Sequence, residues 1–321
     1  MMRVRQRLML AIPLLAGVTL LAFGLMRLAP GGPFDRDRAP ASPQVERALR
    51  ARYHLDAPLT EQYLRYLGLW WETDAAGGRR RVEGGLLVGD LGPSLKHRNH
   101  TVNDLLRDAL PVSAVLGALA FVVAMGVGIP VGLHGAVCRD RWPDHLGSAG
   151  SLVMLAVPSF VLGPLLVLIF ALELRWFPAG LWGSARHVVL PALALGLFFA
   201  GRVARLMRQG MIEVLPAGFM MAARAKGLSE SALIWRHGFR LAVLPVVSYA
   251  GPLLADLLTG SFVVENVFQI PGVGSYFVNG ALNRDYPLVV GLMLIYAVLL
   301  LLLNLVVDLT YTLLDPRIRD D

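Results

Sequence analysis

Cysteine is almost missing: Cys138 is the only one among 321 residues. A lone thiol rules out an internal disulfide and any metal site built from several cysteines. Charge is scarce as well. Asp, Glu, Lys and Arg make up 17% of the chain, where a soluble domain carries about 25%. No Gly-x-x-x-x-Gly-Lys-[Ser/Thr], Gly-x-Gly-x-x-Gly or His-Glu-x-x-His string occurs, so the sequence offers no phosphate-cradling loop and no zinc-protease helix. His97 and His100 have loose metal spacing, but Lys96 and Arg98 beside them are basic and no cysteine is near, which argues against a metal. No nucleophile–base set sits at the end of an apolar run, so an enzyme is disfavoured. Lys and Arg outnumber Asp and Glu by 30 to 23, a net +7. They are scattered and lack interleaved aromatics. That excludes a nucleic-acid groove and fits membrane topology and an anionic lipid surface.

What is abundant is apolar sequence. Hydrophobic residues reach 55% and mean hydropathy is +0.57. Six runs are long enough to cross a bilayer, for which roughly 20 residues are needed: 8–26, 112–137, 148–174, 187–206, 241–264 and 288–313. Arg202 and Arg205 clip the end of the fourth. The first follows Arg3, Arg5 and Arg7, as a signal peptide would, but no small-residue cleavage site follows, so it is read as a retained helix. With the N-terminus inside, the inner segments hold fourteen basic residues, among them Arg139, Arg141, Arg208, Arg224, Lys226, Arg236, Arg240, Arg317 and Arg319. The short outer loops hold three, Arg175, Arg186 and Arg284, and the other 13 lie in the loop 27–110, which is long enough to translocate regardless of charge. This asymmetry places both termini in the cytoplasm.

No soluble domain can be cut out, and 1–321 reads as a single membrane domain. Its largest extramembrane piece is the outer loop 27–110. There Ser42-Pro43 suits a helix start, Leu59, Tyr63 and Leu67 lie on one helical face, and 73–85 reads as an exposed loop or hairpin. Thr101 with Asp104 forms a capping-box pattern. The segment is expected to be a small helical cap, the alternative being an unstructured loop.

The inner loop 207–240 is the most informative stretch. Pro216 fits the first helical position and Gly227 a left-handed stop. Ser229 offers an N-cap with Glu230 in the next turn. The loop is thus helix, glycine corner, helix. Ala222, Ala223 and Ala225 let a partner's surface approach the backbone, and Arg224 and Lys226 supply charge for steering. An amphipathic helix resting on anionic lipid would carry the same pattern.

The segment Met221-Ala222-Ala223-Arg224-Ala225-Lys226-Gly227-Leu228 resembles the EAA loop of ABC importer permeases. The likeness extends along the chain, through Met26-Arg27-Leu28-Ala29-Pro30-Gly31, Tyr53-His54-Leu55, Gly89-Asp90-Leu91-Gly92-Pro93-Ser94 and Val157-Pro158-Ser159-Phe160. It continues in Gln269-Ile270-Pro271-Gly272-Val273-Gly274, in the run from Phe277 to Tyr286, and in Asp315-Pro316-Arg317. These motifs are similar to the first permease subunit of bacterial oligopeptide and dipeptide ABC importers. The resemblance implies an all-α integral membrane protein with six transmembrane helices in a type I importer fold, in the bacterial inner membrane. It implies a homologous second permease, two ATPase subunits that bind ATP and Mg on their own chains, a periplasmic or lipid-anchored peptide-binding protein, and a peptide substrate. Residues 221–228 would then dock the ATPase. Two departures stand out. Met221 occupies the motif's leading acidic position, and 73–85 is an extra insertion.

Acids inside spans point to function by default. Asp256, near the middle of the fifth run, is a candidate for the pathway, where it could meet an ammonium, or for a structural hydrogen bond. Asp308, one turn from Asn304, is read as structural. Pro130, Pro158, Pro164, Pro191 and Pro252 can kink spans. The outer segment 265–287 is expected to help form an outer gate, the alternative being an interfacial anchor with no gating role. There Pro271, Gly272, Val273 and Gly274 make a corner, Tyr276, Phe277 and Leu282 dip into the interface, and Asn283, Arg284 and Asp285 are exposed toward the binding protein. The competing class is a self-contained secondary transporter or channel. Those often carry inverted repeats, and none is visible between the halves.

Overall fold

Apolar runs of this length have one low-energy solution in a bilayer, helices that satisfy every backbone group internally, and the computed structural model is built of them. It describes residues 4–28, 56–73, 79–81, 84–97, 100–283 and 285–314. In chain order the helices are α1 (Val4–Leu28), α2 (Leu59–Leu67), α3 (Val102–Val137), α4 (Trp142–Ala156), α5 (Ser159–Leu166), α6 (Ala185–Val214) and α7 (Gly218–Ala225). They continue as α8 (Glu230–Ala232), α9 (Phe239–Ala242), α10 (Leu244–Leu258), α11 (Phe262–Val267), α12 (Val273–Leu282) and α13 (Tyr286–Leu314). A hairpin pairs β1 (Trp71–Thr73) with β2 (Arg79–Arg81), Trp71 opposite Arg81, within the segment read as a loop or hairpin. The Ser42-Pro43 helix start lies outside the described residues.

Among the described residues four helices are long and apolar enough to cross a membrane: α3, α6, the α10–α11 stretch Leu244–Val267, and α13. The count is five if the pair Trp142–Ala156 and Ser159–Glu173 is one span. The first run is helical too, with its apolar part at Met9–Gly24. The run 148–174, expected to be continuous, is instead bent by 102° between these two helices. The cause is local. Pro158 has no N–H and pushes Val157 out of the helical region, to φ −85°, ψ 111°. Beyond it α5 widens into a π-helical stretch, Val167–Glu173. The run 241–264 is likewise interrupted at 259–261, where Gly260 adopts φ +90°.

The chain divides into two compact units. One comprises Met1–Leu8, Ala109–Ser275 and Val298–Asp321, the other Met9–Asp108 and Tyr276–Ala297. In the first, α6 is the interior helix: its most apolar window is 61% buried, against 28–33% for the other spans. Small residues make this possible. Gly128 of α3 lies against Ala200 and Val203, Gly196 of α6 against Ala120 and Val123, and Gly201 against Ser151 of α4. Leu195, Val203, Met207, Met211 and Leu253 fill the space between. Met207 and Met211 are buried and α6 continues to Val214, so the stretch 207–240 opens as a helix.

At the start of α4, Asp144 is 2% exposed and receives a bidentate pair from Arg208 of α6, at 2.6 and 2.7 Å. The Asp140 N–H adds a third bond at 3.0 Å. Removing one partner of a buried pair leaves an uncompensated charge. Arg208→Met is therefore expected to destabilise the folded chain by about 3–5 kcal/mol. Removing the exposed Arg224–Glu230 pair with Arg224→Ala should cost far less, because solvent screens an exposed ion pair. Thermal unfolding of the two variants in detergent checks the ranking; equal shifts would refute it.

In the second unit, Phe23 of α1 stacks on Tyr63 of α2 with ring centroids 5.2 Å apart, and Thr19 bonds the Tyr63 hydroxyl at 2.8 Å. Ala22 packs with Val290 and Leu294 of α13. Thr101 and Asp104 form the expected capping box: Thr101 N–H donates to Asp104 at 2.9 Å and Asp104 N–H to Thr101 Oγ1 at 3.1 Å. Asn103 ties down the Gly89–Gly92 turn, donating to Gly89 O at 2.6 Å and accepting from Leu91 N–H at 2.9 Å. The described part of 56–108 is thus packed structure rather than an open loop.

Candidate functional site

The corner after α7 is built by backbone chemistry. Gly227 sits at φ +82°, the left-handed conformation that glycine adopts without strain. Its N–H bonds Arg224 O at 3.0 Å and Leu228 N–H bonds Ala223 O at 3.4 Å. This is the double closure of a Schellman stop. Ser229 then caps the next helix, its hydroxyl accepting from Ala232 N–H at 3.4 Å. The expected start at Pro216 is displaced: α7 begins at Gly218, with Ala217 as its N-cap.

One side chain fixes α7 to the bundle. Met220 is fully buried, and its methyl lies over Gly238 beside Met211. Almost everything else on α7 faces outward. Met221 is 57% exposed, Ala222, Arg224, Ala225, Lys226 and Gly227 are exposed, and Ala223 and Leu228 are half-buried. Phe219 and Trp235 add exposed aromatic surface. The charge is arranged differently from expectation. Arg224, read as a steering group, clamps Glu230 across the corner, Nε–Oε1 2.7 Å and Nη2–Oε2 3.1 Å. That hydrogen bond holds the Glu230 carboxyl below its usual range, so the clamp is intact at neutral pH and opens only in acid. Lys226 stays exposed. The result is an exposed corner, closed by backbone hydrogen bonds and the Arg224–Glu230 pair, that carries apolar and basic side chains.

The outer segment divides. Gly272, Val273 and Gly274 are buried, with Pro271 exposed before them. Phe277 and Leu282 are exposed. Asn283 is half-buried and its amide donates to Asn279 O at 2.6 Å. Arg284 lies outside the described residues. Asp285 contradicts the expectation of exposure: it is 0% exposed. It accepts from the Ser94 hydroxyl, and from Leu95 N–H at 3.1 Å and Lys96 N–H at 3.3 Å. A carboxylate that collects three donors is a structural tie.

Asp256 is exposed on α10, seven residues and hence about two turns from Tyr249 on the same face. Arg202 of α6 stacks on that tyrosine, 4.9 Å from its centroid. Among the described residues no cluster of His, Cys, Asp or Glu is placed to hold a metal. Reading the sequence missed the Met220 anchor, the Arg224–Glu230 clamp, the Asp144–Arg208 pair and the burial of Glu265. An acid placed beside a glycine-rich break was the available signal for the last.

An all-α bundle of apolar spans with an outward-facing corner between two of them defines a multi-pass integral membrane protein. Residues 128–320 match the family described as "Binding-protein-dependent transport system inner membrane component", and the chain belongs to that family. It is 44% identical to the oligopeptide transport system permease protein OppB of Haemophilus influenzae, over 98% of both chains. It is 42% identical to OppB of Salmonella typhimurium, over 96% of both. The dipeptide transport system permease protein DppB of Bacillus subtilis is 40% identical, over 94% of this chain and 92% of that one. Among solved structures, the inward-facing MetNI methionine ABC transporter superposes with a TM-score of 0.56 at 16% identity, covering 66% of this chain and 96% of the other. That likeness supports the importer-permease fold.

Proposed function

We propose that this chain pairs with a homologous second permease to form the pathway of a bacterial peptide importer, taking oligopeptides or dipeptides. Two ATPase subunits, which carry ATP and Mg, dock on the corner at 221–228. A peptide-binding protein delivers substrate at the opposite face, where Pro271, Gly272, Val273, Gly274, Asn283 and Arg284 contribute to an outer gate. Asp256 faces the pathway. The near-full-length likeness to oligopeptide and dipeptide permeases supports the substrate class. The observation that carries the coupling role is the corner itself. A closed corner held by one buried methionine, with small residues outward, suits insertion into a protein groove better than rest on a lipid surface.

The test is reconstitution in liposomes with a second permease, the ATPases and the binding protein. Peptide uptake is expected only with ATP inside. Uptake by this chain with no ATPase present would establish the secondary-transporter class instead. Topology is checked separately in a Cys138→Ser background. Leu87→Cys, at a 62% exposed position, should react with an impermeant maleimide from outside, and Ser231→Cys should not. The reverse pattern would overturn the orientation given by the fourteen-to-three distribution of basic residues.

A further inference from the structure

Glu265 of α11 is a fully buried carboxylate in the first unit, and no role in transport chemistry requires it. Its Oε1 accepts from the Ser113 hydroxyl of α3 at 2.6 Å, and its Oε2 from Gly274 N–H at 2.8 Å. Ser113 Oγ in turn accepts from Val273 N–H at 2.8 Å. The first N–H groups of α12, which no helix can satisfy internally, therefore end on one acid and one serine. Three glycines shape the cradle. A Cβ on Gly260 would fall 2.5 Å from Oε1, one on Gly274 2.9 Å from Oε2, and one on Gly272 2.5 Å from both oxygens.

A buried ion is a poor way to add stability, because desolvation offsets what its partners return. Its distinguishing property is direction. Apolar contacts slide, whereas a carboxylate whose partners are all donors is satisfied in one arrangement and left with unmet donors in others. We propose that Glu265 is a positioning residue that makes the Ser113 turn of α3, the break at 259–261, α11 and the start of α12 a single moving body. The corner at 271–275 then shifts with α3 as a unit when the transporter changes state. The link to transport rests on the importer reading above; the mechanical claim does not.

Two measurements separate them. The first is amide hydrogen exchange on the purified full chain with its partner permease. Glu265→Gln keeps the shape but turns one acceptor into an NH2 donor. It is expected to speed exchange at Val273, Gly274 and the Ser113 turn together, by tenfold or more, with α6 unchanged. Glu265→Asp, which keeps both acceptors, should recover part of the protection. If the Gln variant does not accumulate, Ser113→Ala serves, with a smaller rise at the same two places. Unchanged exchange at either place overturns the proposal. The second measurement is ATP hydrolysis by the reconstituted importer. Glu265→Gln should retain basal hydrolysis within twofold and lose peptide stimulation by tenfold or more. A variant stimulated like the parent would refute the link to transport. A parent with no peptide stimulation would refute the importer reading and leave the exchange result standing.

Discussion

Tryptophan at position 223 is expected to abolish peptide-stimulated ATP hydrolysis, a loss of at least tenfold, while the chain still inserts and pairs with its sister permease. Ala223 is the half-buried residue on the outward side of α7, so an indole there adds bulk where a groove wall would have to come close. The fold should not notice, because Met220, which holds α7 to the bundle, is untouched. Gly227→Val attacks the same corner by another route. A Cβ at 227 meets no atom within 4 Å, so no steric clash arises. What remains is the left-handed φ of +82°, which a β-branched residue adopts at a cost of order 1 kcal/mol or more. The corner should open and tilt α8 relative to α7. Co-purification with the ATPase, followed by hydrolysis with and without peptide, checks both variants. Ala223→Trp with full ATPase binding and normal stimulation would remove the basis for docking at 221–228.

The parts legible in the sequence are those whose physics is local. The glycine stop at 227, the Ser229 cap and the Thr101–Asp104 box each involve residues within a few positions, and each formed as read. Apolar length located the four helices long and apolar enough to cross a membrane among the described residues, and the bent pair beside them. Length could not show continuity, however. Val157-Pro158 and Gly260 are within otherwise apolar runs, and whether a proline bends or breaks a span depends on what packs against it. The residues missed or misread are mostly those with distant partners. Glu265 is bonded to a serine 152 positions away, and Asp285 to one 191 positions away. An acid beside a predicted outer turn reads as exposed, because nothing in the neighbouring sequence announces a buried nest of donors. The Arg224–Glu230 pair was missed over a shorter range. Six residues separate the two, but they face each other only because Gly227 turns the chain.

Asp285→Ala is expected to lower the apparent melting temperature of the detergent-solubilised chain by roughly 5–10 °C, and to do so without changing residues on any outer surface. The reasoning starts from the three donors. Ser94 Oγ–H, Leu95 N–H and Lys96 N–H converge on one carboxylate that is 0% exposed. Each buried donor left without an acceptor costs about 1–3 kcal/mol. Ser94 also accepts from His97 N–H at 2.9 Å, so losing the acid loosens the whole 94–97 turn. That turn follows the Gly89–Ser94 motif, and Gly291 of α13 packs on Leu91 and Val102. The two motifs, far apart in sequence, are therefore the two sides of one joint. Asp285→Asn should fall between wild type and alanine, since it keeps one acceptor oxygen. Ser94→Ala should be milder still, because it removes one donor rather than the shared acceptor. Leu282→Ala, at a 76% exposed position on the same segment, should shift the transition little. If Asp285 served instead as a contact for the binding protein, the pattern would invert. The alanine variant would melt with the wild type and fail only in docking. Measuring melting and binding-protein affinity on the same four variants decides between a structural tie and a contact surface.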